Sequence, residues 1–140
     1  MSGTVHQATC LALGDRAVLI EGPPHSGKSS LVLALIDRGA ILIGDDGVTL
    51  DQRGDQLFAA PPPNTTGLLE VRNLGLLRFD TTSNVRVALA ILLDPEAPRF
   101  VDEAEPAVRC GVRLPLIRLW PSENPPARKV ELAMDRYGLR

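Results

Sequence analysis

The chain has 140 residues, 44% of them hydrophobic and 23% charged, which is typical of one soluble globular domain spanning residues 1–140. A net charge of −2 at pH 7 argues against a nucleic-acid partner bound through a broad basic surface. The sequence shows neither a basic-then-apolar leader nor an apolar run of about 18 residues, so we expect a cytoplasmic protein with no membrane contact. Cys10 and Cys110 lack the spacing of a metal knuckle or a redox pair, and we expect free thiols.

Short apolar runs separated by turn residues fill the first half of the chain. The run Ala17–Ile20 is apolar on both faces, as in a central buried strand, and it leads directly into Gly22. Leu31, Val32 and Leu35 follow at helical spacing. In chain order we predict strands over 5–13 and 17–20, a helix over 29–37, a strand over 40–43 and a hairpin over 48–51 and 56–60.

Strand signals dominate the second half. Three prolines at 61–63 remove three backbone donors, which predicts an irregular loop, whereas the composition of 68–75 leaves open whether that segment is a short helix or a strand. Beyond it we predict strands over 74–79, 85–93 and 112–119, an exposed acidic stretch over 94–105, a loop over 121–126 and an amphipathic helix over 128–137. This order predicts an α/β fold with a mixed sheet.

The segment Gly22–Ser29 fits the phosphate-loop pattern G-x-x-x-x-G-K-[ST] at every fixed position. The glycines let the backbone curl around a phosphate, and the amides and the following helix N-terminus point at its oxygens. We expect Lys28 to neutralise phosphate charge and the Ser29 hydroxyl to ligate Mg²⁺. A plain glycine turn is the alternative, but the position between an apolar strand and a helix disfavours it. The predicted nucleotide-binding residues are Gly22, His25, Ser26, Gly27, Lys28, Ser29 and Ser30.

A pair of carboxylates, Asp45 and Asp46, directly follows the predicted strand over 40–43. Carboxylates at the C-terminal end of a strand face the crevice where α/β proteins bind ligands. One of them could hold Mg²⁺, and the other could accept the proton of an attacking hydroxyl. The alternative is that both only shape the turn before Gly47. Glu70 and Arg72, taken alone, are typical of solvated charges.

Taken together, these segments resemble the HPr kinase/phosphorylase family. The family pattern consists of a P-loop end, a helix end, an Asp-Asp pair and a signature close to L-E-I-R-G-L-G. In that order, the matching residues are Gly27-Lys28-Ser29, Arg38-Gly39, Asp45-Asp46 and Leu69-Glu70-Val71-Arg72-Asn73-Leu74-Gly75. His6 occupies the place of a family histidine in the strand before the P-loop strand. The resemblance covers residues 5–120 and only the C-terminal catalytic domain of the family.

The resemblance implies a P-loop nucleotide-binding core and an ATP- and Mg²⁺-dependent kinase. Its acceptor would be a serine of HPr, the small phosphocarrier protein of the sugar phosphotransferase system. The implied roles are Asp46 as base, Lys28 as phosphate-binding lysine, Ser29 and Glu70 as Mg²⁺ ligands and His6 as support for the aspartate, with Asp45 a further candidate ligand. A catalytic arginine of the family is best matched by Arg99, with Arg109 and Arg113 as rivals.

Three features depart from the family pattern. Ser30 stands where an acidic residue is common, the late loop 120–126 contains no arginine, and the N-terminal domain is not matched. These departures put the reverse phosphorylase reaction and a hexamer in question, while a homo-oligomer stays possible. They also keep two alternatives open, a nucleotide-sensing regulator without chemistry and a hydrolase that only cleaves nucleotide.

Overall fold

The computed structural model describes residues 3–122 and 124–140. Two helices and eleven strands occur in this part of the chain, and none of its helices is long and apolar enough to cross a membrane. In chain order the elements are β1 (Thr4–His6), β2 (Thr9–Leu13), β3 (Arg16–Glu21), α1 (Lys28–Asp37), β4 (Ile41–Gly44), β5 (Val48–Arg53), β6 (Gln56–Ala60), β7 (Leu68–Val71), β8 (Gly75–Arg78), β9 (Val85–Leu93), β10 (Glu105–Arg109), β11 (Val112–Leu119) and α2 (Ala127–Tyr137).

Most strands belong to one mixed sheet with the order β1-β5-β6-β9-β3-β2-β4. The start of β9 pairs with β6, its end pairs with β11, and β10 pairs with β11 alone. Strands β3, β9 and β11 run parallel, and the other pairs of this sheet are antiparallel. The predicted α/β fold with a mixed sheet is therefore confirmed.

Strand β2 lies between β3 and β4 and is antiparallel to both. The carboxyl ends of β3 and β4 consequently point to the same side, with the amino end of β2 between them. The carboxyl ends of β9 and β11 reach this side as well, because both strands are parallel to β3. We call these four carboxyl ends, together with the amino end of β2, the site edge.

Both faces of the sheet are covered, which explains why β3 and β9 are continuous apolar runs. Helices α1 and α2 pack on one face, where Leu31, Leu35 and Met134 meet Ile20 and Ile91. On the other face, side chains of β5, β6 and β11, which belong to the same sheet, pack around Leu19, Val87 and Ala90. Each fully buried Leu or Ile side chain stabilises the fold by about 1.5–3 kcal/mol.

Most predicted elements are present with shifts of one or two residues at their ends. The run predicted over 5–13 forms two strands, because β1 pairs with β5 whereas β2 pairs with β3 and β4. The segment left open between helix and strand is strand β7, which pairs with β8 in a separate two-stranded sheet. The acidic stretch is mostly exposed, but its last residue, Glu105, begins β10, a strand that was not predicted.

Candidate functional site

The phosphate-loop segment connects β3 to α1 at the site edge. A side chain at Gly22 would place its Cβ 2.8 Å from Ser26 Oγ and 3.2 Å from Leu93 Cβ, so the close approach of the backbone requires glycine. Gly27 has a φ of 94° at the N-cap of α1, and no side chain in the described ranges caps this helix. The first amides of α1 are thus available to an anion.

Polar atoms of this loop are placed for an oxygen-rich ligand. Lys28 Nζ donates a 2.8 Å hydrogen bond to the carbonyl oxygen of Gly22. Ser26 Oγ is buried and makes no hydrogen bond with the described part of the protein. A buried hydroxyl without a partner is unfavourable unless a ligand or water satisfies it, so the loop fits a bound phosphate group.

A buried threonine joins the two aspartates that follow β4. Thr9, which is 0% exposed, donates from Oγ1 to Asp45 Oδ1 at 3.3 Å and accepts the backbone N–H of Asp46 at 3.2 Å. Asp46 has a φ of 55°, a left-handed conformation that Asp and Asn tolerate better than most residues. The bonds to Thr9 therefore fix the turn that presents both carboxylates. The sequence pattern did not predict this role of Thr9. The only sign of it in the sequence is that Thr9 is a polar residue at the start of the apolar segment that becomes β2.

The charge of Asp45 is poorly stabilised in the domain without a ligand. Burial, and after it the neighbouring charge of Asp46, raise the pKa of Asp45 to about 6. Three interactions act against this increase in pKa: the Thr9 hydrogen bond, the backbone amide of Glu70 and the charge of Lys28. A cation at this position would remove the repulsion between the two aspartates.

The donor atoms here fit an incomplete magnesium site. Within residues 3–122 and 124–140, no group of three His, Cys, Asp or Glu side chains is close enough to hold a metal ion alone. Magnesium sites in phosphoryl-transfer proteins normally use one or two carboxylates and complete the shell with substrate phosphates and water. The half-buried Asp45 and the exposed Ser29 and Glu70 offer oxygens of the right kind.

The sequence of the domain matches a known family. The family model described as the HPr Serine kinase C-terminal domain matches residues 2–87, more than half of the chain. The chain belongs to this family. The predicted resemblance is therefore confirmed. The name of the family is that of a serine kinase.

Curated relatives carry the name HPr kinase/phosphorylase. The protein of Mycoplasmopsis pulmonis is 38% identical over 69 residues, which cover 49% of this chain and 22% of the relative. The protein of Chromobacterium violaceum is 42% identical over 79 residues, which cover 56% of this chain and 25% of the relative. In both comparisons the matched region spans a quarter or less of the relative's length.

A solved structure extends the similarity to almost the whole domain. The structure of the Hpr(Ser) kinase/phosphatase from Coxiella burnetii superposes with a TM-score of 0.77 and 29% sequence identity. The superposition covers 94% of this chain and 93% of that one. The similarity in fold therefore continues beyond the residues that the family model matches.

In the described part of the chain, His6, Arg99 and Arg113 form no side-chain hydrogen bond or ion pair with the loop or the aspartates. His6 is on β1 opposite Val48, and its imidazole makes no hydrogen bond to Asp46 in the described structure. Arg99 is exposed in the loop after β9, and its guanidinium forms no hydrogen bond or ion pair with the described residues. Arg113 is exposed on β11. The roles implied for His6 and Arg99 stay predictions.

Arg109, one of the rivals for the catalytic arginine, binds the residue that directly precedes the phosphate loop. Its guanidinium donates from Nε and Nη2 to the two carboxylate oxygens of Glu21, at 2.8 and 2.6 Å. This hydrogen bonding raises the pKa of Arg109. Because Glu21 directly precedes Gly22, the two-bond ion pair ties the β10–β11 hairpin to the strand that leads into the loop.

Proposed function

We propose that this domain is an ATP- and Mg²⁺-dependent serine kinase that phosphorylates an HPr-type phosphocarrier protein in the cytoplasm. The observation that carries the proposal is the aspartate pair held by Thr9 at the same sheet edge as the phosphate loop. Membership in the HPr serine kinase family supports the choice of acceptor, and the names of the relatives support it too.

The phosphates of ATP would bind at the loop between β3 and α1. Lys28 would exchange its bond to the Gly22 carbonyl for a phosphate oxygen, and the amides from His25 to Ser29 would cradle the phosphates. Ser29, Asp45 and Glu70 would hold Mg²⁺, which supplies neutralisation of phosphate charge. Positioning and charge neutralisation would account for most of the catalysis.

Asp46 is the better general base of the pair. Its side chain is exposed, whereas Asp45 is half-buried and is engaged by the Thr9 hydroxyl and the Glu70 amide. An incoming serine hydroxyl would give its proton to Asp46 while its oxygen bonds to the γ-phosphorus. The bond from that phosphorus to the bridging oxygen breaks, and ADP leaves with the electron pair.

Label transfer tests the proposal. The purified protein is incubated with Mg²⁺, γ-labelled ATP and HPr from the same cell, and we expect acid-resistant label on a serine of HPr. Lys28→Ala should abolish transfer, and Lys129→Ala is the matched control, because Lys129 is exposed on α2 and is the only other lysine in the chain.

The outcomes of this assay separate the alternatives. ATP binding without labelled protein would replace the kinase with a nucleotide-sensing regulator, and release of labelled phosphate in the absence of acceptor would indicate a hydrolase. The reverse reaction is measured by supplying phosphorylated HPr with inorganic phosphate. We expect it to be slower than the forward reaction, because the late loop 120–126 contains no arginine.

A further inference from the structure

We propose that the indole ring of Trp120 is the platform on which the base of the bound nucleotide stacks. This inference rests on the proposed function, because it places the remainder of the nucleotide whose phosphates the loop would hold. It adds a binding subsite on the other side of the loop from the aspartate pair. Three features support it: the positions of the strand ends, the anchoring of the indole and the distribution of aromatic residues.

The strand order gives the bound nucleotide a direction. The aspartate pair follows β4, which lies on the β2 side of the phosphate-loop strand. On the opposite side are the carboxyl ends of β9 and β11. A nucleotide with its terminal phosphate toward Asp45 and Asp46 therefore has its ribose and base directed toward β9 and β11.

The spacing of these strands suits a nucleotide. Glu21 at the end of β3 is in register with Leu92 on β9, and Leu92 is in register with Arg118 on β11. Trp120 begins the segment directly after β11. Two strand spacings, about 10 Å in total, thus separate the start of the phosphate loop from Trp120. A ribose with its α-phosphate bridges such a distance.

The indole is anchored while much of the ring stays accessible. Its Nε1 donates a 2.6 Å hydrogen bond to the carbonyl oxygen of Ala97, although the side chain is 48% exposed. The same two segments are tied by a bond from the Asp94 amide to the Leu119 carbonyl oxygen at 2.9 Å. Arg118 also binds the Asp94 carboxylate at 2.9 Å. A surface that is already ordered loses little conformational entropy when a base stacks on it.

The distribution of aromatic residues also singles out this region. The chain has only five aromatic side chains, and the two that are exposed are Phe100 at 78% and Trp120. Both lie in segments that follow the carboxyl ends of β9 and β11. Aromatic rings stack on any base, since every base has a π face. Trp120 is the platform rather than Phe100, because it is the larger ring and has an anchoring hydrogen bond.

The chain's single tryptophan provides a direct test. We expect ADP to quench the emission of Trp120, and we expect pyrophosphate, which has no base, to bind without quenching it. Calorimetry should show that Trp120→Ala weakens ADP binding by about tenfold or more, the range typical of losing one stacked base. Trp120→Phe should stay within about threefold of wild type because it keeps an aromatic face. Pyrophosphate affinity should be the same in all three proteins.

Leu132→Ala is the matched control, because Leu132 is 49% exposed and lies in the middle of α2. Equal ADP affinity in wild type and Trp120→Ala would overturn the platform, and so would an equal loss of ADP and pyrophosphate binding. If Trp120→Ala fails to fold, the ADP affinity of Trp120→Phe and the quenching of Trp120 emission in the wild type test the platform. Quenching by ADP without phosphate transfer to HPr would contradict the proposed kinase but retain the platform, whereas failure to bind either ligand would remove both.

Discussion

Acidic residues flank the phosphate loop on both sides, and the two groups differ in how their charge is balanced. On the β2 and β4 side, Asp45 and Asp46 are adjacent, and neither forms a salt bridge with the described residues. On the β9 and β11 side, Asp94 and Glu105 each have an arginine partner, and so does Glu21 at the end of the phosphate-loop strand β3. Those pairs are Glu21 with Arg109 at 2.6 Å, Asp94 with Arg118 at 2.9 Å and Glu105 with Arg118 at 2.7 Å.

This difference separates structural acids from acids available for chemistry. The paired acids hold the β10–β11 hairpin and the loop after β9 in place, and their charge is already balanced. Asp45 has a pKa raised to about 6, because the fold gives it burial and a like-charged neighbour instead of an arginine. Strongly perturbed carboxylates near a ligand loop are a mark of functional sites. Four substitutions test this division, in order of decreasing effect.

Asp46→Asn should have the largest effect. Loss of a general base lowers kcat by about 10²- to 10⁴-fold, so transfer of label to HPr should nearly stop. Asparagine also suits the left-handed conformation at this position, so the fold and the affinity for nucleotide should be close to wild type. Asp102→Asn, at an exposed loop position, is the control. Transfer at the wild-type rate would rule out Asp46 as the base.

Arg109→Met should come second, and its effect should be on stability. The substitution leaves Glu21 without its partner, and the two side chains are only 22% and 17% exposed. After allowing for solvent screening, we expect a loss of about 2 kcal/mol in the free energy of unfolding. Urea denaturation measures it, with Arg113→Met, at an exposed position of β11, as the control. Equal losses in the two variants would show that the pair contributes nothing specific.

Asp45→Asn should stabilise the unliganded domain at high pH. The folded pKa of about 6 lies above the usual aspartate value of 3.8, so the folded form binds the proton more tightly. The contribution of Asp45 to stability is therefore present below about pH 4 and is lost as pH rises through about 6. With a discount for partial exposure, the variant should gain about 1 kcal/mol at pH 8 and nothing at pH 4. Urea midpoints at both values check this, with Asp55→Asn in the β5–β6 turn as the control. A gain that does not change with pH would contradict the assignment.

Asp94→Asn should have the smallest effect. The Glu96 amide and Arg118 lower the pKa of Asp94, so its contribution to stability is present at neutral pH and is lost as pH falls through the lowered value. The pair is solvent-accessible, and we expect a loss in urea midpoint smaller than the change for Asp45→Asn. Added salt should reduce the difference from wild type. If Asp94→Asn lost as much stability as Arg109→Met, solvent-accessible ion pairs would also contribute substantially to the stability of this domain.

The elements with strong local patterns could be predicted from the sequence. The apolar run before Gly22 and the helix after it are β3 and α1, and the long apolar run over 85–93 is β9. In each, continuous burial or helical spacing leaves a clear pattern. Strand β10 lacks this pattern, because it pairs on one side only and begins with the exposed Glu105 and Pro106. On such an edge strand a proline is tolerated, because its missing N–H can face away from the neighbouring strand.

The candidate site was predictable in its residue types but not in its connections. The motifs indicated the loop and the aspartate pair, and the structure places both at one edge of the sheet, while their roles stay predictions. The hydrogen bonds of Thr9 and the ion pair of Arg109 depend on strand order, which brings residues together that are 36 or more positions apart in the chain. Local sequence patterns contain no information about such pairing.

The insertion of β2 between β3 and β4 affects which acceptors this domain would use. Because of this insertion, the strand that bears the aspartates stands two strand spacings, about 10 Å, from the strand that bears the phosphate loop. This separation leaves a cleft between the loop and Asp46 with room for the terminal phosphate. A hydroxyl projecting from a folded protein would arrive with enough surrounding surface to close the cleft, whereas water would leave it open. The acceptor protein would thus complete the reaction chamber, and this requirement would protect ATP from idle hydrolysis.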